Sequence, residues 1–381
     1  MGIPWLEISD VKAIIMSGGE PSYGGASGFH VIVRVDTDKG TSGWGEACTH
    51  SSYGEAAFAV KSLVETGFRE VIKGENPLNF RKLWEKMYSY SSWYGRRGLA
   101  IFAMSGIDLA LMDIAGKTLG APAYDLLGGV FRNNVEVYAS MLFDMQHPKE
   151  TAQTASKFVD RGFKAVKCGW GLTPETSFGL DMETDIRMLK ELRDVLGNDI
   201  RLMVDVGRFV QWNSAQAKKA TERYADFNIF WLEEPLPLDD VEGYISLTKN
   251  APMYIAGGEC EYTVHGFKGL VTRNAVDIIQ PDITKAGGLS EGKKIFELAE
   301  LWNRMCVPHS WSTALNTAAS LHLVGSARSG FLQEFRAEEN PLMDKIIKKP
   351  FEVVDGKVEI PNLPGLGVEI DPEGIKKYTI V

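Results

Sequence analysis

Residues 165–207 read AVKCGWGLTPETSFGLDMETDIRMLKELRDVLGNDIRLMVDVG, and the order of elements in this stretch decides the fold. It opens and closes on short apolar or β-branched runs of strand length, AVKCGW and RLMVDVG. Between them, METDIRMLKELRDVLG places Ile186, Leu189, Leu192 and Leu196 on one helical face, with Gly197 positioned as the C-terminal cap. Two strands joined through a helix form a parallel pair, because a parallel connection needs a crossover of this length.

The same alternation continues on both sides. VEVYASM precedes it, and IFWLEE, MYIAGGE, AVDIIQPD, MCVPHS and FLQEF follow, each separated by a helical stretch. Eight such runs match the count at which a parallel sheet closes into a TIM-type (β/α) barrel. An open doubly wound sheet is the alternative, since closure leaves no mark in sequence. Before Val135 the texture differs. FHVIVRVDTDKGTSGW, with the turn Asp38-Lys39-Gly40, reads as an antiparallel hairpin. Residues 54–68, 77–89 and 98–118 then show apolar spacing of three to four. The chain is therefore divided into an α+β unit over 1–125 and a barrel over 126–354. A Pro- and Gly-rich tail, about 355–381 and containing IPNLPGLGVEID, is expected to return to the first unit.

Bulk properties narrow the function classes. A length of 381 residues suits two such units, and 44% hydrophobic with 24% charged residues is ordinary for a folded protein. A net charge of -9 repels a polyanion, and Lys and Arg are scattered, so no nucleic-acid partner is expected. The richest apolar stretch, Leu99 to Ile114, is broken by Ser105, Asp108 and Asp113, which reads as an amphipathic helix and not a membrane span. The start, MGIPWLEISD, lacks a basic region followed by an apolar core, so a cytoplasmic protein is expected. Cys48, Cys168, Cys260 and Cys306 form no CxxC pair and are expected as free thiols.

The chemistry lies at the ends of the barrel runs. Lys167, Asp205, Glu233 or Glu234, Glu259, Asp282, His309 and Glu334 each end a run, and active sites of parallel barrels collect at strand C-termini. Taken singly, each acid could pair with a local Arg or Lys. Three in register, Asp205, Glu233 and Glu259, would repel one another unless a cation sat among them, and an all-oxygen set prefers a hard ion such as Mg2+. Glu234 competes with Glu233, since neighbouring strand residues face opposite ways. Asp282 and His309 end consecutive runs, where a carboxylate can orient an imidazole as a general base. Lys167 could steady an anionic substrate, and Glu334 could bond the substrate or close the last strand onto the first by a salt bridge.

These positions resemble the mandelate racemase group of the enolase superfamily. The likeness is carried by VDVG, WLEEP, IAGGE, QPDITKAGG, VPHSW and QEF in the barrel. GWGEA, SGIDLALMDIAGK and GAPAYDLLGG in the first unit and PGLGVEI near the end extend it. The resemblance implies a modified (β/α)7β barrel with an α+β N-terminal capping domain, and a base that works with Mg2+ on a proton next to a carboxylate. It favours Glu233 as the ligand of the EEP pair. Asp282 stands where the muconate lactonizing branch places a lysine, which indicates the His-Asp branch. One departure is Lys167-Cys168-Gly169, where racemases of the group carry Lys-x-Lys. Gly207 likewise stands where some relatives place an acid or base. Racemization needs proton handling on both faces, so the resemblance here implies a dehydratase of a sugar acid, a small-molecule carboxylate, giving a 2-keto-3-deoxy acid. A racemase or epimerase, a lactone cycloisomerase and a non-catalytic barrel are the alternatives. By the same likeness, the loop SGGEPSYGGASG at 17–28 and the stretch His50 to Tyr53 would cover the barrel mouth. Tyr23, His50 and Tyr94 would then contact substrate hydroxyls, and the chain would form a symmetric homo-oligomer.

Overall fold

Tyr138, Ala165, Met203, Trp231, Ala256, Ile278, Val307 and Leu332 form one buried apolar cluster, contributed by eight successive strand segments. This is the interior layer of a barrel. The computed structural model describes residues 5–19, 28–51, 53–207 and 209–381. The first three strands, β1 (Ile8–Ser17), β2 (Phe29–Thr37) and β3 (Ser42–Ser51), make an antiparallel sheet in that order. The barrel strands are β4 (Asn134–Leu142), β5 (Ala165–Gly169), β6 (Arg201–Asp205) and β7 (Ile229–Glu233), then β8 (Tyr254–Gly257), β9 (Ile278–Ile279), β10 (Met305–Cys306) and β11 (Leu332–Arg336). They run parallel in chain order, and β11 pairs with β4. A bridge between Cys306 and Gly330 joins β10 to the approach of β11 and completes the ring.

Seven helices link the eight strands, from Pro148–Asp160 to Ala314–Gly325. The arrangement is thus (β/α)7β, and all eight runs expected from sequence are strands. The helix Met182–Leu196 buries Leu189, Leu192 and Leu196 and ends at Gly197, whose φ of 68° suits a residue without a β-carbon. A short strand, β12 (Lys357–Glu359), pairs antiparallel with β4. Beyond it the tail runs back to the N-terminal unit. Leu366 N donates to Asp113 Oδ1 at 2.9 Å, and Ile380 N donates to Ile15 O at 2.7 Å.

The helix Leu99–Leu119 departs from its one-sided expectation, for every residue from Ala100 to Gly116 is buried. It is long and apolar enough to cross a membrane, yet 94% of its most apolar window is covered by the protein itself. One side lies on β3, where a β-carbon at Gly43 or Gly45 would collide with the carbonyl oxygens of Ala110 or Gly106. The other side meets the barrel helix Gly288–Leu301. The polar residues that break the apolar run are the fastenings. Ser105 Oγ accepts from Gly287 N at 2.8 Å and Asp108 Oδ2 from Ser290 N at 2.9 Å. Asp113 Oδ2 accepts from Trp44 N at 3.0 Å and from Lys117 Nζ at 2.6 Å.

Because the helix backbone rests on bare glycine, Gly45→Ala is expected to destabilise the protein by about 1–3 kcal/mol through overpacking. Denaturant unfolding should show a lower midpoint at an unchanged slope. An unaltered midpoint would contradict the close approach.

Candidate active site

Side chains on a strand return to the same face every second residue, so the positions two beyond the interior layer point into the barrel mouth. Counting from Ala165, Met203, Trp231, Ile278, Val307 and Leu332, those positions are Lys167, Asp205, Glu233, Gln280, His309 and Glu334, and all are buried. Five of the residues expected from sequence at run ends, Lys167, Asp205, Glu233, His309 and Glu334, thus share one layer above an apolar floor.

Asp205, Glu233 and Glu259 offer carboxylate oxygens that lie within 4.8 Å of one another. Glu233 is held rigidly: its Oε1 accepts from Lys167 Nζ at 2.7 Å, and its Oε2 from Trp231 Nε1 at 2.9 Å and Gln280 Nε2 at 2.8 Å. Burial, then repulsion from Glu233 and Glu259, drives the Asp205 carboxyl well above the usual range against the pull of Lys167. Burial likewise raises Glu233, with Lys167 opposing. Like charges forced together in this way call for a cation, and three hard oxygens fit a divalent ion. Glu234 lies on the other side of Glu259, grouped with it and Cys260 within 4.8 Å. Its φ is 42°, its Oε1 accepts from Gly258 N at 3.2 Å, and burial pushes it up to about 8.

His309 Nδ1 lies 2.6 Å from Asp282 Oδ2, while Nε2 lies 3.3 Å from Glu259 Oε2 and 3.8 Å from Glu334 Oε2. Burial lowers this imidazole, but Glu259, Glu334 and Asp282 outweigh it and hold it up to about 9. Part of that attraction comes from Glu259, whose charge a bound cation would share. Asp282 is fixed in turn: its Oδ1 accepts from Thr284 N at 2.8 Å and from Asn316 Nδ2 at 3.4 Å. Lys167 Nζ sits 3.1 Å from Glu334 Oε1 and 3.5 Å from Asp205 Oδ2 besides its bond to Glu233, so it serves as the counter-charge inside the acid cluster. Glu334 Oε2 accepts from Ser310 N at 2.7 Å. Burial raises its carboxyl, yet Lys167 and His309 bring it below the ordinary value.

Of the three residues expected to meet substrate, His50 comes beside His309, their ring centroids 5.9 Å apart. Tyr94 is 55% exposed in the turn after the helix Phe80–Ser91. Tyr23 and most of its loop lie outside the described residues. Sequence reasoning passed over Trp231 and Gln280, although each stands two residues before a named acid and so shares its face. It also passed over Thr284, Asn316 and Ser310, whose donors reach the site from loops and a helix terminus and follow no strand period.

Comparison with known proteins agrees with this geometry. Residues 26–128 match the model of the mandelate racemase/muconate lactonizing enzyme N-terminal domain, and residues 150–374 match that of the enolase C-terminal domain-like family. The D-galactarolactone cycloisomerase of Agrobacterium fabrum is 33% identical over 92% of this chain and 91% of its own length. The arabinonate dehydratase of Saccharolobus solfataricus is 30% identical over 91% and 90% respectively. Among solved structures, the 3,6-anhydro-D-galactonate cycloisomerase of Zobellia galactanivorans superposes with a TM-score of 0.88 at 34% identity, covering 98% of this chain and 100% of that one. A barrel with acids at its mouth, an N-terminal sheet fastened over it and these full-length matches together assign the chain to the mandelate racemase/muconate lactonizing enzyme family of the enolase superfamily.

Proposed function

We propose that this enzyme carries out a β-elimination on a sugar acid, removing the proton next to the carboxylate and expelling the oxygen on the β-carbon to give a 2-keto-3-deoxy acid. The observation that carries this reading is the His309–Asp282 pair, whose second ring nitrogen, Nε2, stands 3.3 Å from Glu259 Oε2 at the edge of the acid trio. Asp205, Glu233 and Glu259 would hold Mg2+. Bound there, the ion supplies positive charge beside the substrate carboxylate, where negative charge grows as the proton leaves.

The chain's own groups do the rest. Asp282 fixes the tautomer of His309 so that Nε2 accepts the proton, and the resulting imidazolium then returns it to the departing oxygen. Lys167 keeps Glu334 and Glu233 in place and presents its charge to the floor of the site. A dehydratase expels that oxygen as water; a cycloisomerase expels it from a ring by the same movement of electrons. Both names occur among the relatives, and both fit one base. Racemization fits less well, because Lys167 is committed to three carboxylates and Gly169 offers no second base.

Two outcomes test the reading. His309→Asn is expected to lower turnover by roughly 100- to 10,000-fold, the usual contribution of a positioned general base. It should also abolish exchange of the α-hydrogen with deuterated solvent, so full turnover in this variant would refute the assignment. Separately, millimolar Mg2+ should raise the thermal midpoint of the wild type. At a hundredfold excess over the dissociation constant the stabilisation is about 2.7 kcal/mol. Asp205→Asn should lose most of that rise, and an equal rise in both proteins would place the ion elsewhere.

A further inference from the structure

Two glycines and one indole meet where β5 and β6 end. Two residues beyond Lys167 and Asp205 stand Gly169, the last residue of β5, and Gly207, just past the end of β6. A β-carbon on Gly169 would stand 3.2 Å from Asp205 Cβ and 3.3 Å from its Oδ2. On Gly207, whose φ is 72°, it would collide with Cδ1 and Nε1 of Trp170. The indole therefore fills the space into which a side chain at 207 would project. Its backbone is pinned on both sides: Trp170 N donates to Asp205 O at 2.9 Å, and its carbonyl accepts from Phe178 N at 2.6 Å. The residue has a φ of 52°, and its ring meets Phe209 edge-on with centroids 5.4 Å apart. Trp170 is only partly buried, so part of it is left open to solvent. In the ring of eight strands β6 is third and β10 seventh, so the end of β6 stands diametrically across the barrel from the end of β10, which leads to His309.

We propose that Trp170 is a specificity-determining residue whose indole takes the C–H face of a ring-closed sugar acid, a lactone or an anhydro-sugar acid. The inference rests on the eliminating function above and names its substrate class. An extended polyol acid turns hydroxyls to every side, and those facing the indole would lose their water without gaining a partner. A sugar ring gathers C–H bonds on one face, which suits the electron-rich face of an aromatic ring. In such a substrate the α-proton passes to His309 Nε2 and its electron pair forms the new C=C bond. The bond from the β-carbon to the ring oxygen breaks, and that oxygen takes the proton back from the imidazolium. The enol then becomes the ketone. The product is an isomer of the substrate and no water is released.

The test measures binding and turnover together, on the Mg2+-loaded full chain, for D-galactarolactone and 3,6-anhydro-D-galactonate against the linear acids galactonate, arabinonate and xylonate. A ring-closed acid should be used with a kcat/KM at least tenfold above any linear one. W170A and W170L should each cut that preference at least tenfold, chiefly through KM, while W170F keeps most of it. The thermal midpoint and its response to Mg2+ should stay near wild type in all three, which separates loss of the wall from loss of fold. A linear acid bound or turned over as well as the ring-closed ones overturns the proposal, as does an unchanged preference in W170L. Ring-closed acids that bind in a Trp170-dependent way without reacting support the wall and count against the eliminating function. Failure of every acid to bind overturns both.

Discussion

Four buried carboxylates, Asp205, Glu233, Glu259 and Glu334, share one barrel mouth with the ammonium of Lys167, and the rest of the site is arranged around that excess of negative charge. Two like charges about 4 Å apart repel by roughly 4 kcal/mol at an effective dielectric near 20, so such a cluster cannot be left to flexible side chains. The barrel answers in two ways. Its apolar floor locks the strands in register, so the acids cannot slide apart. Fixed donors then hold them: the indole of Trp231 and the amide of Gln280 on Glu233, and the backbone of Ser310 on Glu334. The electrostatic cost is met during folding, and the site is organised before substrate arrives.

The N-terminal unit takes part in that organisation. Glu46, on β3, accepts from Thr313 Oγ1 at 2.7 Å and from Asn316 N at 3.2 Å, at the start of the helix Ala314–Gly325. Asn316 in turn reaches Asp282, which orients His309. A carboxylate at a helix N-terminus is well placed electrostatically, and here it ties the N-terminal sheet to the Asp282–His309 pair. The GWGEA motif therefore serves twice. Its glycines admit the helix Leu99–Leu119, and its glutamate anchors the sheet to the catalytic side of the barrel.

Much of this was legible in sequence because period-two and period-3.6 patterns are written in neighbouring residues. Each of the eight runs from VEVYASM to FLQEF forms a strand, though β9 and β10 keep only two residues each because the chain turns early toward Asp282 and His309. What was not legible depends on contacts between distant segments. β1 was passed over, since only pairing with β2 marks it as a strand. The helix Leu99–Leu119 looks one-sided in sequence because its aspartates and serine break the apolar run, whereas each accepts a hydrogen bond from another part of the protein. Gly207 showed only an absent side chain. That an indole from the preceding strand end occupies the space becomes visible only when two strands lie side by side.

That last pair bears on how one family serves different reactions. In the function proposed above, the acids at the ends of β6, β7 and β8 and the His-Asp pair at β9 and β10 would serve the common event, loss of a proton next to a carboxylate. They leave open which oxygen departs. The positions two residues beyond Lys167 and Asp205 border this machinery. In this chain both are glycine, and the volume at one passes to a side chain from the neighbouring strand. A wall built in this way alters the shape of the substrate accepted while leaving every charged group in place. A change of leaving group, from a hydroxyl to a ring oxygen, then requires new packing and no new chemistry.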